Sequence, residues 1–232
     1  MVRADFSNPL HESGIYRISR ITPLAIPVYK IVPLNFYIAT KAELKEAGTV
    51  STGEDAENSP SAKQVQAGLY LRASYLKYGG YVDMGQKEVA SIKEALRHIE
   101  KLPTAELILP LVGYTMGDLE DKRMACICLL RRTWCGNACI DYLTATQDFL
   151  ASDPNVSYKM IGLNTLMAAL KVARLLKCSK LWLETASDSA GFYESVLDAQ
   201  VSDLCEIAEI DEAIVLLEKK NKEVEVNLHG NR

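Results

Sequence analysis

Cysteine is sparse in this chain. Six in 232 residues are too few for a disulfide scaffold, and Cys126, Cys128, Cys178 and Cys205 stand in apolar or helical contexts typical of reduced, packed thiols. A reducing, cytoplasmic home is the expectation. Histidine is scarcer still: His11, His98 and His229 are scattered and form no triad or metal set. Cys126, Cys128, Cys135 and Cys139 cluster, but the first two alternate with Ala125, Ile127 and Leu129 in a strand pattern and not in the paired spacing of a zinc knuckle. No metal is expected. There is no long hydrophobic run either. The most apolar early stretch, 21–40, is cut by Pro23, Pro27 and Pro33 and carries Lys30, which suits neither a membrane span nor a secretory leader. Charge of one sign is also lacking: a net charge of -4 gives no global pull on nucleic acid or anionic lipid. Small-molecule or protein partners are therefore expected, with no nucleic acid and no membrane.

What is present is an ordinary globular composition, 48% hydrophobic and 24% charged, enough to bury a substantial core. Residues 48–64, GTVSTGEDAENSPSAKQ, have almost nothing to bury and read as a mobile loop. Before it, 15–40 is rich in β-branched and aromatic residues between prolines, which suggests short or edge strands, and 41–47 reads as a brief helix ended by Gly48. In 62–78, Val65, Leu69, Ala73 and Leu76 recur at helical spacing and Gly79-Gly80 supplies a stop. Residues 86–102 repeat the pattern with Val89, Ile92, Leu96 and Ile99, and Pro103 closes it.

From Ala105 onward the period changes, and turn-like GDLEDK and WCGN separate the segments that follow. Residues 107–114, 124–131 and 138–145 read as three antiparallel strands. A helix follows with Leu163, Leu166, Met167, Leu170 and Ala173 on one side, then a strand over 180–185 and a shorter helix over 188–197 whose Asp188 favours its positive end. A strand near 201–208, a helix over 210–222 and a briefly alternating tail, EVEVNLHGNR, complete the chain. The fold class expected is α/β (α+β), a mixed and mostly antiparallel sheet flanked by helices. An N-terminal part, 1–104, and a core, 105–232, together form one compact domain.

This order of elements, and the residues in it, resemble the acyl-CoA-binding core of the GCN5-related N-acetyltransferases (GNAT). ICLLRRTWCGNACIDYLTAT looks like that family's third and fourth strands, YKMIGLNTLMAALKVARLL like its pyrophosphate loop and following helix, and LWLETASDSAGFYESV like its fifth strand and fourth helix. The physical need is a set of backbone N–H donors converging on a pyrophosphate, which a glycine-permitted loop at a helix N-terminus supplies. Where the family has Gln or Arg, two residues, Gly, one residue, then Gly or Ala, this chain has Lys159, Gly162, Leu163 and Asn164. Lysine keeps the charge without the planar fork of arginine; Asn164 brings a side chain where the family has almost none. The segment QDFLASDPNVSY, 147–158, is longer than the usual link before the loop.

The resemblance implies acetyl-CoA or another acyl-CoA as co-substrate, with Lys159, Gly162, Leu163 and Asn164 holding its pyrophosphate. Leu143, Thr144 and Ala145 would lend backbone groups to its pantetheine arm. Tyr193 corresponds to the tyrosine that protonates the departing thiolate, although Phe192 and Tyr193 would serve equally to pack their helix on the sheet. For the base that takes the amine's proton, Asp141 is the first choice, ahead of Glu184 and Asp148. The function implied is an N-acyltransferase acting by direct attack of a small-molecule or protein amine; the alternative is a catalytically inactive GNAT-fold binding protein. A homodimer is compatible with either. Arg131, Arg132 and Trp134 read as decoration of a hairpin end.

Overall fold

The computed structural model describes residues 12–19, 28–49, 62–115, 123–146, 156–186 and 189–229. Among them the chain builds one mixed sheet: β1 (Glu12–Ser19), β2 (Val28–Ile38), β3 (Lys87–Glu88), β4 (Leu107–Thr115), β5 (Met124–Arg132), β6 (Ala138–Ala145), β7 (Val156–Lys159), β8 (Leu181–Glu184) and β9 (Leu204–Ile207). The strand order is β7-β1-β2-β4-β5-β6-β8-β9, with β3 beside the start of β4. Neighbours are antiparallel except for β3 with β4 and β6 with β8. The helices are α1 (Lys41–Thr49), α2 (Ala62–Asp83), α3 (Ile92–Lys101), α4 (Ile161–Leu175), α5 (Ala190–Leu197) and α6 (Ile210–His229). This is the expected α/β architecture, a mostly antiparallel sheet flanked by helices. No helix of the described residues is long and apolar enough to cross a membrane.

Alternation along the strands divides the core into two layers. Leu107, Leu109, Leu111, Cys128, Leu130, Leu181 and Leu183 face α3, α4, α5 and α6, while Ile108, Val112, Ile127 and Leu129 face α1 and α2. α4 is buried almost all round, from Ile161 to Ala173, because the sheet takes one side and Ile210, Ala213, Ile214 and Leu217 of α6 cover the other. Its mostly apolar sequence is that of a helix with little solvent face, which is confined to its C-terminal turn. Lys171 with Glu218, 2.8 Å apart, and Arg174 with Asp211, 3.2 Å apart, tie the rims of α4 and α6.

Several sequence expectations are corrected. β2 is neither short nor at an edge: it runs eleven residues between β1 and β4. α2 does not stop at Gly79-Gly80. It continues to Asp83 because Tyr81 and Val82 still find apolar partners under the sheet, and it ends where Gly85, at φ +83°, adopts the left-handed turn. There the N–H of Gly85 donates to the Val82 carbonyl and that of Gln86 to the Tyr81 carbonyl, both 3.0 Å, satisfying the last turn. The buried face of α2 is also different from the expected one. Ala67, Leu71, Ser74 and Tyr78 go inward, leaving Val65, Leu69 and Leu76 at 42%, 57% and 61% exposure.

The helix expected from residue 86 begins only at Ile92, where the Ser91 hydroxyl accepts from the Glu94 N–H at 3.1 Å. The residues before it include β3. The tail does not alternate as a strand but continues α6 to His229, with Lys219 and Glu223 one turn apart at 3.7 Å. Part of the long link before α4 is a strand, β7, against β1. Most of the 48–64 loop, together with residues 147–155 and Asp188, lies outside the described residues.

A Cβ built on Gly80 meets nothing within 4 Å, and the residue is exposed in the interior of α2. Gly80→Ala is therefore expected to stabilise the protein by about 0.5–1 kcal/mol, read as a raised urea midpoint at unchanged slope. A loss of stability would contradict a continuous α2.

Candidate functional site

β6 is the strand on which the site is built. On one side it pairs with β5 over its whole length, but not residue for residue. Leu129 lies opposite Tyr142 and Leu130 opposite Ile140, so Asp141 is an extra residue, a β-bulge. The bulge places two successive side chains, Asp141 and Tyr142, on the α2 face, while Ile140 and Leu143 pack toward α4. On its other side β6 pairs in parallel with β8, and only over Ala138, Ile140 and the residue between them, opposite Leu181, Trp182 and Leu183. Beyond Ile140 that pairing ends. The edge of β6 from Asp141 to Ala145 that faces away from β5 has no strand partner among the described residues.

α4 connects to β8 and returns alongside the two parallel strands. Its C-terminal end lies beside the start of β6, where the Ala138 N–H donates to the Lys180 carbonyl and the Ser179 N–H to the Gly136 carbonyl. Its N-terminal end lies by the end of β6, where Ala145 packs against the cluster that Ile161 and Ala168 form with Leu34, Phe36, Ala125 and Cys126. The open end between β6 and β8 thus faces the positive end of a fifteen-residue helix. Met160, in the left-handed region at φ 71°, turns the chain from β7 into α4. The first intrahelical bond there is donated by the Asn164 N–H to the Met160 carbonyl at 2.9 Å. The N–H groups of Ile161, Gly162 and Leu163 precede that bond and have no carbonyl one turn back within α4.

The residues expected to hold a coenzyme fall around this opening in different states. Leu143, Thr144 and Ala145 are half-buried on the unpaired edge. Lys159 closes β7, its backbone opposite Tyr16. Gly162 lies under Phe192: a Cβ at 162 would come within 2.9 Å of that ring, so only glycine fits without moving it. Leu163 and Asn164 are buried, the asparagine completely, and their side chains belong to the core rather than to an open loop.

Tyr193 is 6% exposed and packs edge-on against Phe192 with ring centres 5.0 Å apart. Burial, with Cys128 and Cys205 as neighbours, raises its pKa well above the ordinary phenol value, so it keeps its proton at any physiological pH.

Asp141 is not a free base. Its carboxylate accepts from Arg131 Nε at 3.0 Å and Arg131 Nη2 at 3.3 Å, and Lys77 Nζ of α2 lies 3.3 Å from Oδ1. With its side chain only 4% exposed, this carboxylate joins two cations across the sheet–helix interface. Tyr81 and Tyr142 complete the cluster: Arg131 stacks over the Tyr81 ring at 4.9 Å, and Lys77 lies over both rings. Arg131 is thus a structural partner of Asp141, whereas Arg132 donates to the carbonyls of Ala105 and Pro103, and Trp134 is exposed at the hairpin end. Lys77, Tyr81 and Tyr142 were not among the expected site residues. Lys77 and Tyr81 are one helical turn apart, a pairing concealed when Gly79-Gly80 is read as a stop. Glu184, the other described candidate base, is exposed at the end of β8.

No protein-family model matches the chain, and no curated protein matches it.

Removing the carboxylate would leave Arg131 and Lys77 facing one another without their counter-ion. Asp141→Asn is expected to cost about 3 kcal/mol, the loss typical of breaking a largely buried pair, measured by chemical denaturation. A cost within experimental error of zero would mean that the cluster does not hold α2 to the sheet.

Proposed function

We propose that the chain is an acyl-CoA-dependent N-acyltransferase of the GCN5-related type, with acetyl-CoA as the coenzyme to test first. The observation that supports this most is the parting of β6 from β8 at Asp141, with the N-terminus of α4 at the open end. A pantetheine arm carries amide donors and acceptors that need a strand edge, and the free edge of β6 over Leu143, Thr144 and Ala145 offers one. Its pyrophosphate needs N–H donors, which Ile161, Gly162 and Leu163 present at a helix N-terminus. The arm then runs from α4 toward the bulge, where the β6–β8 ladder closes the way and the thioester stops.

In the reaction, a neutral amine attacks the thioester carbonyl, the C–N bond forms, the C–S bond breaks, and sulfur departs as thiolate. A thiol of pKa about 8.5 is a better leaving group than an amine and a stronger acid than a phenol. Tyr193, with its raised pKa, is therefore better suited to hydrogen-bond the thiolate than to protonate it fully. Asp141, held by two cations, orients the site, and the amine's proton passes to water.

Two observations favour a second reading, a protein of this fold that binds without turnover: the burial of Tyr193 and the cover that Phe192 forms over Gly162. Amine-dependent release of thiol from acetyl-CoA separates the two. The transferase reading expects it, with Tyr193→Phe lowering kcat; binding without release favours the second.

Binding itself is tested by thermal unfolding. Acetyl-CoA at about a hundred times its Kd contributes about 2.7 kcal/mol, a rise in Tm of several degrees for a chain of this size. Gly162→Asp is expected to abolish the rise. Gly162→Ala displaces the same Phe192 ring without adding charge and is expected to keep part of it. Absence of any rise with the wild-type protein, for acetyl-CoA and longer acyl-CoAs alike, would contradict coenzyme binding.

A further inference from the structure

A primary amine already stands at the bulge. Lys77 Nζ lies 3.3 Å from Asp141 Oδ1, 5.4 Å from the centre of the Tyr142 ring and 5.7 Å from that of Tyr81. A carboxylate with two aromatic faces is the chemistry that recognises an alkylammonium group, and here the protein supplies the occupant from its own helix. Burial of Ser74 and Tyr78 against the sheet fixes the turn of α2 that carries Lys77, so its alkyl stem is directed onto β6. The side chain remains 37% exposed, so Lys77 is not sealed inside the core. The two tyrosines come from different elements. Tyr142 reaches the α2 face only because Asp141 is an inserted residue, so the bulge that ends the strand pairing also creates the amine's surroundings.

We propose that Lys77 is an acyl acceptor, so that the protein acylates its own Lys77 Nζ from acyl-CoA. This rests on the coenzyme reading above, which brings the thioester to the backbone of Asp141, the residue that holds Lys77. Neutral Nζ attacks the thioester carbonyl carbon. The N–C bond forms as the C–S bond breaks, the electron pair leaves on sulfur, and the nitrogen's surplus proton goes to water while the thiolate takes one up. The product amide has no charge. Asp141 then retains Arg131 alone, and α2 loses one of its ties to β6.

The reaction has a defined pH dependence. Burial works against the Lys77 ammonium, but the Asp141 carboxylate and the Tyr81 hydroxyl outweigh it and raise its pKa above the ordinary lysine value. A raised pKa means that the reactive neutral amine is scarce near neutrality and increases as pH rises. The rate should therefore climb through the alkaline range without a plateau below the ordinary lysine pKa.

The test is to incubate the purified chain with acetyl-CoA and follow acetylated peptides by mass spectrometry, with binding measured in parallel by thermal shift. Lys77 is expected to be acetylated about tenfold or more ahead of the exposed Lys45 and Lys93, since proximity replaces a bimolecular encounter. Lys77→Arg should remove one acetyl group per chain, and Gly162→Asp should slow Lys77 without slowing the other two. If acetyl-CoA binds but Lys77 reacts no faster than Lys45 and Lys93, or the rate at Lys77 is flat with pH, self-acylation is overturned and the coenzyme site stands. If acetyl-CoA does not bind, the coenzyme reading fails and this inference with it.

Discussion

The geometry of this protein depends on one break in hydrogen bonding. β6 carries one residue more than its partner β5, at Asp141, and its parallel ladder with β8 ends one residue earlier, at Ile140. A bulge bends its strand and increases local twist, so a strand that pairs well with β8 before the bulge diverges from it afterwards. Two surfaces follow from the same insertion. On the edge away from β5, the backbone of 141–145 has no strand partner among the described residues. On the α2 face, Asp141 and Tyr142 point the same way, which no regular strand allows.

Each surface has its own means of stabilisation. The open edge is backed by α4, the most thoroughly buried helix of the described residues, held between the sheet and α6. A close-packed layer of this kind yields little, so the helix N-terminus keeps its place relative to the strand edge. The α2 face is held by charge. Asp141 joins Arg131 on β5 to Lys77 on α2, with aromatic rings over both cations. A pair so enclosed contributes little net stability against an apolar substitute, but losing one member is costly. It is therefore better understood as fixing the register of α2 over the bulge than as a source of stability.

Much of this fold is legible in the amino-acid order, and the reasons for the rest are physical. The meander of β4, β5 and β6 is visible because each strand is an eight- or nine-residue run rich in apolar residues and set off by turn-like segments, and α4 because Leu163, Leu166, Met167, Leu170 and Ala173 recur at helical spacing. α2 misleads twice. Its glycine pair resembles a stop, yet Tyr81 and Val82 bury enough to carry the helix past it; and its most apolar stripe, Val65, Leu69 and Leu76, is the one left exposed. Helical spacing identifies a helix without saying which face the sheet will choose when Leu71 and Tyr78 offer a competing one. β7 is only four residues long and gains its identity from β1, far away in the chain. Asp141 was recognisable as a carboxylate on a strand, but a bulge leaves no local mark, so its two cations and Tyr142 could not be read beside it.

The account's central claim is that the free edge of β6 and the first turn of α4 together hold a coenzyme. Amide hydrogen exchange, followed residue by residue with and without coenzyme A, tests it most directly. Slowed exchange concentrated at Leu143, Thr144 and Ala145 and at Ile161, Gly162 and Leu163, with β9 and α6 unchanged, is the predicted result. Slowed exchange elsewhere while these six amides remain unprotected would contradict it.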